Sequence, residues 1–332
     1  MATTTPPRSS APKNKKPAKK PKRTSAAQRR RLDAQLEAAK GIEALRPATG
    51  ALEVAGEWDA SADAVLYSGD CMDLLRDIPS GSVQLVVSSP PYNIGKSYEK
   101  RSPLNDYMEW QTRVLAEAVR VLAPGGHLCW QVGNYVGGGE VIPLDVMFHP
   151  AIRALGMKSR NRIIWSFEHG LHASKRFSGR HETILWFSKG NDYFFDVDPV
   201  RVPQKYPNKR YFKGPRKGEL SCNPLGKNPG DVWSIPNVKY NHIEKTEHPC
   251  QYPIELVERL VLTMTQPGDW VLDPFGGVGS AATAAVLHGR RGAMAELDEK
   301  YLEVARERLE QAQAGELLAR PMGRPIHGQA KR

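Results

Sequence analysis

Two short segments of the sequence combine residue types that could hold a planar ligand and act on it. One of them, residues 88–92, reads Ser-Ser-Pro-Pro-Tyr and follows the apolar run 83–87. Adjacent prolines fix φ twice and remove two N–H donors, and a residue before proline is pushed toward an extended backbone. The segment is therefore a stiff loop that presents the Ser89 hydroxyl, backbone carbonyls and the Tyr92 ring. Taken alone, it is equally compatible with a rigid turn after a buried strand.

The other segment, residues 270–280, reads WVLDPFGGVGS, an apolar run that ends in an acid and continues into glycines. Glycines allow a tight turn and a close approach of the backbone to a ligand at the carboxyl end of a strand. The next predicted strand ends in Glu296, 20 residues beyond Gly276. A carboxylate there can accept hydrogen bonds from both ribose hydroxyls of a nucleoside. The alternative is a tight turn near an unrelated surface acid.

The spacing of these glycines distinguishes between candidate cofactors. The run lacks the GxGxxG spacing typical of NAD sites and the GxxxxGK[ST] run of phosphate-binding loops. An adenosine cofactor without phosphates fits better, and S-adenosyl-L-methionine (SAM) is the foremost example. Asp70 ends an earlier predicted strand and could accept from an adenine amino group, the alternative being a helix N-cap. The expected cofactor-binding residues are Asp70, Cys71, Asp273, Phe275, Gly276, Gly277, Gly279, Ser280 and Glu296.

Alternating strands and helices must position these loops. We expect strands at residues 65–70, 83–87, 127–132, 161–166, 182–188, 270–272 and 292–296, and helices at 71–78, 107–122, 143–155, 253–265, 280–288 and 300–312. The alternation predicts an α/β fold with a mostly parallel sheet and helices on both faces. Residues 190–247 lose the pattern over a length that exceeds an ordinary connection, which indicates an insert.

Basic residues are concentrated in two places. The net charge is +11, and residues 1–32 hold 11 Lys and Arg without an acid. We expect this tail to be disordered and to attract nucleic-acid phosphates, the alternative being a solvated tail. Residues 201–217 hold seven basic residues, no acid and interleaved aromatics, a composition typical of a surface that holds a phosphate backbone. The candidate DNA-binding residues are Lys205, Lys209, Arg210, Lys213, Arg216 and Lys217.

Cysteine usage and hydropathy bear on the compartment. The four cysteines form no CxxC pair, which favours neither a zinc site nor a disulfide framework, and we expect no metal and a reducing environment. No apolar run approaches the roughly 20 residues needed to cross a bilayer, and the N-terminus has no apolar signal segment. We therefore expect a cytoplasmic protein, associated with the nucleoid through DNA binding.

The two motifs together resemble a known family. Ser89-Pro90-Pro91-Tyr92, followed far downstream by residues 273–279 (DPFGGVG), resembles the SAM-dependent DNA methyltransferases that modify exocyclic amino groups. The order, with the SPPY motif first, is similar to their permuted beta group. Residues 69–70 (GD), 180–189 (RHETILWFSK) and 248–253 (HPCQYP) stand in the expected order. The resemblance covers about residues 64–312 and implies a Rossmann-like methyltransferase fold, SAM as cofactor and double-stranded DNA as partner.

The resemblance also implies a division of the chain. Residues 1–45 would be a disordered basic tail and leading helix, 46–189 the catalytic half of the methyltransferase domain, and 190–247 a target-recognition insert. Residues 248–315 would be the SAM-binding half, and 316–332 a flexible tail. A restriction endonuclease that acts on the same site would be a possible partner.

The chemistry implied by the resemblance explains the stiff loop. Such enzymes rotate the target nucleotide out of the duplex into a pocket. Tyr92 would stack on the base, while Ser89 Oγ and the Pro90 carbonyl, held in place by Pro91, would accept the two N–H bonds of the amino group. The nitrogen becomes more electron-rich as direct displacement on the SAM methyl carbon begins. No covalent enzyme intermediate is needed.

The first residue of the SPPY motif bears on which base is methylated. In the family, Ser at the first motif position is commoner among cytosine-N4 enzymes, and Asp or Asn among adenine-N6 enzymes. We therefore expect methylation of cytosine N4 in restriction-modification, with adenine N6 as the alternative. More distant alternatives are a DNA-binding protein without catalysis and an enzyme that methylates amines of RNA or protein.

A third chemistry, methylation of cytosine at C5, would need a cysteine nucleophile. The pair Pro249-Cys250 offers one. However, it stands in the wrong order relative to the glycine loop and leaves the SPPY motif unexplained. We therefore expect Cys250 to be near the cofactor or buried.

Overall fold

The structure, a computed structural model, describes residues 51–96, 99–170 and 172–324. The tail and leading helix predicted in residues 1–45, and residues 325–332 of the predicted C-terminal tail, lie outside the described residues. No helix within the described ranges is long and apolar enough to cross a membrane.

The elements follow the predicted alternation. The strands are β1 (Val54–Ala55), β2 (Ala64–Ser68), β3 (Val83–Ser88), β4 (Leu122–Val132), β5 (Asn134–Gly137), β6 (Glu140–Pro143), β7 (Lys158–Ser166), β8 (His181–Ser188), β9 (Val232–Ser234), β10 (Trp270–Asp273) and β11 (Arg291–Glu296). The helices are α1 (Cys71–Asp77), α2 (Leu104–Val121), α3 (Leu144–Ala154), α4 (Ile254–Met264), α5 (Ser280–Leu287) and α6 (Glu299–Ala314).

A single large sheet organises the described chain. Its strand order is β1-β2-β11-β10-β3-β4-β8-β7-β9. The pairs from β1 to β4 are all parallel, whereas β8 runs antiparallel to both β4 and β7. The predicted α/β fold with a mostly parallel sheet is therefore confirmed.

Helices cover both faces of this sheet because successive strand residues point to opposite sides. Val86 of β3 packs in a buried cluster with residues of α1, α2 and α3. Its neighbours Leu85 and Val87 pack in the opposite cluster with residues of α4 and α5. The central strands are thus buried on both sides, as their largely apolar sequences predict.

The strands that carry the two motifs come from distant parts of the chain yet lie side by side. β10 is inserted between β3 and β11, with Leu272 opposite Val86 and Asp273 opposite Met294. Since these strands are parallel, their carboxyl ends meet at one edge of the sheet. The SPPY loop after β3, the glycine loop after β10 and Glu296 at the end of β11 therefore face the same region.

Strand β1, the β5–β6 hairpin and strand β9 were not predicted. Residues 134–143 form the β5–β6 hairpin, with Gly138 and Gly139 both at positive φ as a tight hairpin turn requires. Strand β9, inside the predicted insert, pairs in parallel with β7 at the edge of the sheet. Three residues are too few for a recognisable period, so this strand is defined by its partner.

Gly292 of β11 lets helix α5 lie close against the sheet. A Cβ placed on Gly292 would lie 2.7 Å from Ala282 Cα and 2.9 Å from Ala282 O. We predict that Gly292→Ala lowers the free energy of unfolding by about 1–3 kcal/mol, because extra volume in a packed interface forces backbone shifts.

Denaturant unfolding measures this effect. Gly56→Ala is the matched control, since a Cβ at Gly56 meets nothing within 4 Å, and we expect a change within about 0.5 kcal/mol. Equal stability of the two variants would contradict the packing argument.

Candidate active site

A cavity of about 1730 Å³ opens at the carboxyl edge of the sheet. A single small-molecule site usually measures about 300–1,000 Å³, so this cavity has room for two ligands side by side. Among the residues with predicted site roles, its lining includes Asp70, Cys71, Ser89, Pro90, Pro91, Tyr92, Phe275, Gly277 and Glu296. Gly276 and Ser280 line a small adjoining pocket. The structure thus brings the base-side and cofactor-side candidates to one place.

Close contacts within the protein account for two glycines of the loop between β10 and α5. Gly279, at φ +72°, caps the N-terminus of α5, and a Cβ there would lie 2.8 Å from Ala305 Cβ. A Cβ on Gly276 would lie 2.6 Å from the Met294 side chain. These two glycines permit close packing of strand, loop and helix, whereas Gly277 lines the cavity.

Glu296 lines the cavity where it meets the glycine loop. Its Oε2 accepts a hydrogen bond from the Gly277 backbone N at 2.9 Å, and its Oε1 accepts one from Asp298 N at 2.9 Å. Burial raises the pKa of Glu296. Each carboxylate oxygen retains a lone pair beyond these bonds, so the side chain is held rigidly and can still accept from a ligand.

Asp70 caps a helix and also lines the cavity, whereas its role toward an adenine amino group stays a prediction. Its Oδ1 accepts from Met72 N at 2.8 Å and so caps helix α1, and the residue also lines the cavity. Beside it, burial raises the pKa of the Cys71 thiol to about 12. The thiol is therefore neutral and packs as a small apolar group.

Asp273 is fully buried and joins three parts of the site. Its Oδ1 accepts from Ser88 Oγ at 2.5 Å and from Phe275 N at 3.0 Å, and its Oδ2 accepts from the Tyr252 hydroxyl at 2.5 Å. Burial raises the pKa of Asp273, and the three donors oppose that effect. Asp273 lies behind the cavity wall, so it supports the two loops that meet there.

A chain of hydroxyls leads from the SPPY loop to Glu182 at the start of β8. The Tyr92 hydroxyl donates to Glu182 Oε2 at 3.0 Å, and Gln131 Nε2 donates to the same oxygen at 2.8 Å. Ser89 Oγ lies 2.8 Å from the Tyr92 oxygen. Since a phenol has one hydrogen, which Tyr92 gives to Glu182, the Ser89 hydroxyl must be the donor in this contact. The lone pairs of Ser89 Oγ then remain available toward the cavity.

The protonation states in this chain follow from burial. Burial and the nearby Glu182 carboxylate raise the pKa of Tyr92, so the phenol keeps its hydrogen. Burial also raises the pKa of Glu182, while the hydrogen bonds from Gln131 and Tyr92 lower it. Glu182 is therefore a stronger base than an exposed glutamate.

The backbone around the SPPY loop is held from two sides. The Tyr107 hydroxyl of α2 donates to the Pro91 carbonyl at 2.8 Å. Gly133, directly after β4, lies so close to the Tyr92 ring that a Cβ there would be 3.2 Å away. The loop's stiffness thus comes from its neighbours as well as from its prolines.

The predicted DNA-binding residues lie apart from the cavity. None of the six is among the described residues that line it. Arg210 donates to the Gly218 carbonyl at 2.6 Å, and Arg216 donates to Glu219 and lies over the Tyr211 ring. These arginines stabilise the turn of the basic segment, and Arg210 keeps its full charge because its partner is a neutral carbonyl.

Cys250 is exposed and lines the cavity on the cofactor side. Its backbone N donates to His248 Nδ1 at 3.3 Å, and the His248 ring lies beside Gly277. Of the two places expected for Cys250, a buried one is wrong, and one near the cofactor stays a prediction.

Three residues of the site were missed by sequence reasoning. Glu182 and Tyr252 stand in segments that resemble family motifs, RHETILWFSK and HPCQYP, but the sequence suggests no role for either side chain. Gln131 lies in a buried strand with no motif around it. Each acts through a partner that is remote along the chain, and local sequence patterns do not show such partners.

Comparison with known proteins gives a family match. A family model described as DNA methylase matches residues 83–307. The Type II methyltransferase M.BglII of Bacillus subtilis is 54% identical over 241 residues, which cover 72% of this chain and 67% of that protein. The DNA adenine methyltransferase YhdJ of Escherichia coli K12 is 32% identical over 252 residues, covering 74% and 83%.

A solved structure has the same architecture. The crystal structure of TTHA0409 from Thermus thermophilus, in complex with S-adenosyl-L-methionine, matches with a TM-score of 0.53 and 29% identity. The match covers 75% of this chain and 93% of that one. The fold of this chain thus agrees with that of a SAM-binding DNA methylase.

Proposed function

The chain belongs to the DNA methylase family, and from this premise we propose that it transfers a methyl group from SAM to the exocyclic N4 of cytosine in double-stranded DNA. The observation that carries the proposal is the meeting of the SPPY loop and the glycine loop in one cavity with room for two ligands. Room for two ligands supports the transfer of a group between two bound molecules rather than the hydrolysis of one.

The cofactor side of the cavity fits an adenosine-type group. Glu296 is held so that its free lone pairs can accept from ribose hydroxyls, and Asp70 lies at the neighbouring strand end, where it can accept from the adenine amino group. The Gly277 backbone allows the close approach of the ligand. When bound, SAM supplies an electrophilic methyl group.

The base side is formed by the SPPY loop. A flipped base would stack on Tyr92, and Ser89 Oγ would accept one N–H of its amino group. The hydroxyl chain supports this role, because Ser89 gives its own hydrogen to Tyr92 and keeps its lone pairs toward the cavity. The Pro90 carbonyl would accept the second N–H. Both contacts strengthen as the nitrogen becomes positive, which favours the transition state.

Two amino groups could be the target. Ser89 at the first motif position supports cytosine N4. The relative named DNA adenine methyltransferase YhdJ supports adenine N6 as the second candidate. Either base presents two N–H bonds to the same acceptors, so the reaction is the same in both cases.

Mass spectrometry of the product tests the reaction and the base. Purified protein is incubated with labelled SAM and unmethylated plasmid, and the DNA is digested to nucleosides. We predict N4-methylcytosine, formed about 10- to 100-fold more slowly by Ser89→Ala, which loses one hydrogen bond to a developing charge.

The control is Ser82→Ala, because Ser82 bonds only the nearby Pro79 carbonyl and should leave the rate unchanged. N6-methyladenine alone would overturn the choice of cytosine and leave the mechanism in place. Absence of label in DNA, with SAM bound, would overturn DNA as the substrate.

Glu182 offers a route for the proton that must leave. After methyl transfer, the amino nitrogen carries one proton more than the neutral product. Ser89 Oγ would take that proton while Ser89 passes its own hydrogen to Tyr92, and Tyr92 passes its hydrogen to Glu182. Both charges are neutralised in this step, and the carboxyl group later returns the proton to water.

The proposed proton route predicts how the methylation rate depends on pH. Glu182 accepts a proton only when ionised, so the single-turnover rate should rise with pH and level off above its raised pKa. His181 and Lys239 are the other charged or titratable groups near it, and both favour the carboxylate. We predict that Glu182→Gln lowers the rate about 100-fold, as loss of a general base does. The rise of the rate with pH, which is the acid limb of the profile, should disappear in this variant.

Tyr92→Phe is the matched variant, since it keeps the aromatic ring and breaks the same proton chain. It should also remove the limb. If Glu182→Gln slows the reaction but retains the wild-type pH dependence, then Glu182 has only a structural role.

We also propose the division of the chain given by the motifs, with residues 46–189 as the catalytic half, 248–315 as the SAM-binding half and 190–247 as the target-recognition insert. The basic segment of the insert would lie along the phosphate backbone, and polar residues of the insert would read base edges. An endonuclease that cuts the same site would be the natural partner in restriction-modification.

Salt dependence tests the basic segment. Each phosphate contact contributes roughly −0.9 to the slope of log affinity against log salt concentration. We predict that Lys209→Ala with Arg210→Ala weakens duplex binding and flattens this slope by about 1–2, as measured by fluorescence anisotropy. The control, Arg76→Ala with Arg306→Ala, removes two arginines from exposed helical ion pairs. An unchanged slope in the first variant would contradict phosphate contact there.

A further inference from the structure

One rim of the cavity is formed by residues 172–180, in the connection between β7 and β8. At its end, the Arg180 carbonyl accepts from Phe167 N at 3.0 Å, so the connection is closed where it leaves the sheet. The segment leads directly into β8 and Glu182. It therefore lies on the base side of the cavity, where nothing so far assigns it a role.

The composition of this rim is unusual for a solvated loop. Phe177 is fully exposed, at 101% of its reference area, and it follows Lys175 and Arg176 directly. All three line the mouth of the cavity. An isolated exposed apolar residue needs no explanation in general; here it stands beside two cations at the entrance of a site that must receive a base.

The rim is anchored rather than loose. Ala173 N donates to Ser178 Oγ at 3.0 Å, which closes a turn with Phe177 near its tip. In a neighbouring segment, Asn237 Nδ2 donates to the His169 carbonyl at 2.8 Å and ties the connection to the predicted insert. The Phe177 ring is thus presented outward by a defined turn.

We propose that Phe177 enters the DNA duplex at the position that the target base vacates, with Lys175 and Arg176 on the flanking phosphates. This inference rests on the proposed function, because it requires a base to be rotated into the cavity. Rotation of the target base out of the duplex breaks its base pair and its stacking on the neighbouring bases, which costs free energy. Apolar side chains are inserted between base steps in other protein–DNA complexes, so an exposed ring can stack in the gap that a rotated base leaves, while adjacent cations contact the phosphates on either side.

The proposal makes Phe177 a positioning residue whose effect depends on how strongly the target base is paired. The probe is a short duplex with the site that the wild-type protein methylates in plasmid DNA. A twin duplex carries an abasic nucleotide opposite the target base, so that rotation no longer breaks a base pair. Single-turnover methylation rates are measured on both.

We expect Phe177→Ala to be about 10- to 100-fold slower than the wild type on the paired duplex and within about threefold of it on the abasic twin. Phe177→Trp, which keeps a ring that can stack, should retain the wild-type rate on both. Val146→Ala removes an apolar side chain that is 60% exposed on α3 and does not line the cavity. Its ratio of rates on the two duplexes should equal that of the wild type.

Other outcomes would overturn the proposal. If Phe177→Ala loses the same factor on both duplexes, the ring contacts DNA in another way, such as on a thymine methyl group in the major groove. If it loses nothing, the ring has no part in rotation. If the wild type methylates no duplex at all, the proposed function fails first and this inference fails with it.

Discussion

A single buried carboxylate holds the two sides of the site together. Asp273 accepts from Ser88, next to the base-side loop, from Tyr252 ahead of α4, and from the Phe275 backbone in the glycine loop. A carboxylate without water is tolerated only when its oxygens are satisfied, so each donor fixes the position of the others. The two loops therefore keep one relative geometry, which a direct transfer between two bound groups demands.

The parallel sheet makes this geometry independent of chain order. β10 is formed late in the sequence yet lies between β3 and β11, so the loops that follow these strands meet at one edge. What matters for the site is which strands are neighbours, since all of them end on the same side. A chain that encodes the base-side motif first can thus build the same site as one that encodes it last.

Local patterns allowed much of this architecture to be predicted, and the rest depends on contacts across the sheet. The strand-loop-helix run around Asp273 and the Pro90-Pro91 loop are visible because each is complete within a few residues, and apolar periodicity gave the α/β fold. Glu182 and Gln131 meet Tyr92 only after β4 and β8 have paired. Strand β9 was missed for the same reason, because its three residues acquire their structure from β7.

The direction of the hydrogens between Ser89 and Glu182 has a consequence for selectivity and turnover. Because the hydroxyl hydrogens of Ser89 and Tyr92 are directed toward Glu182, Ser89 Oγ and the Pro90 carbonyl offer only lone pairs to a base in the cavity. Such a pair of acceptors attracts an amine with two N–H bonds and repels a carbonyl oxygen such as that of thymine. In the proposed reaction, the methylated amine retains only one N–H, so it satisfies one acceptor where the substrate satisfied two. The hydrogen-bond direction along Ser89, Tyr92 and Glu182 would thus select the base when it enters the cavity and weaken binding of the methylated product.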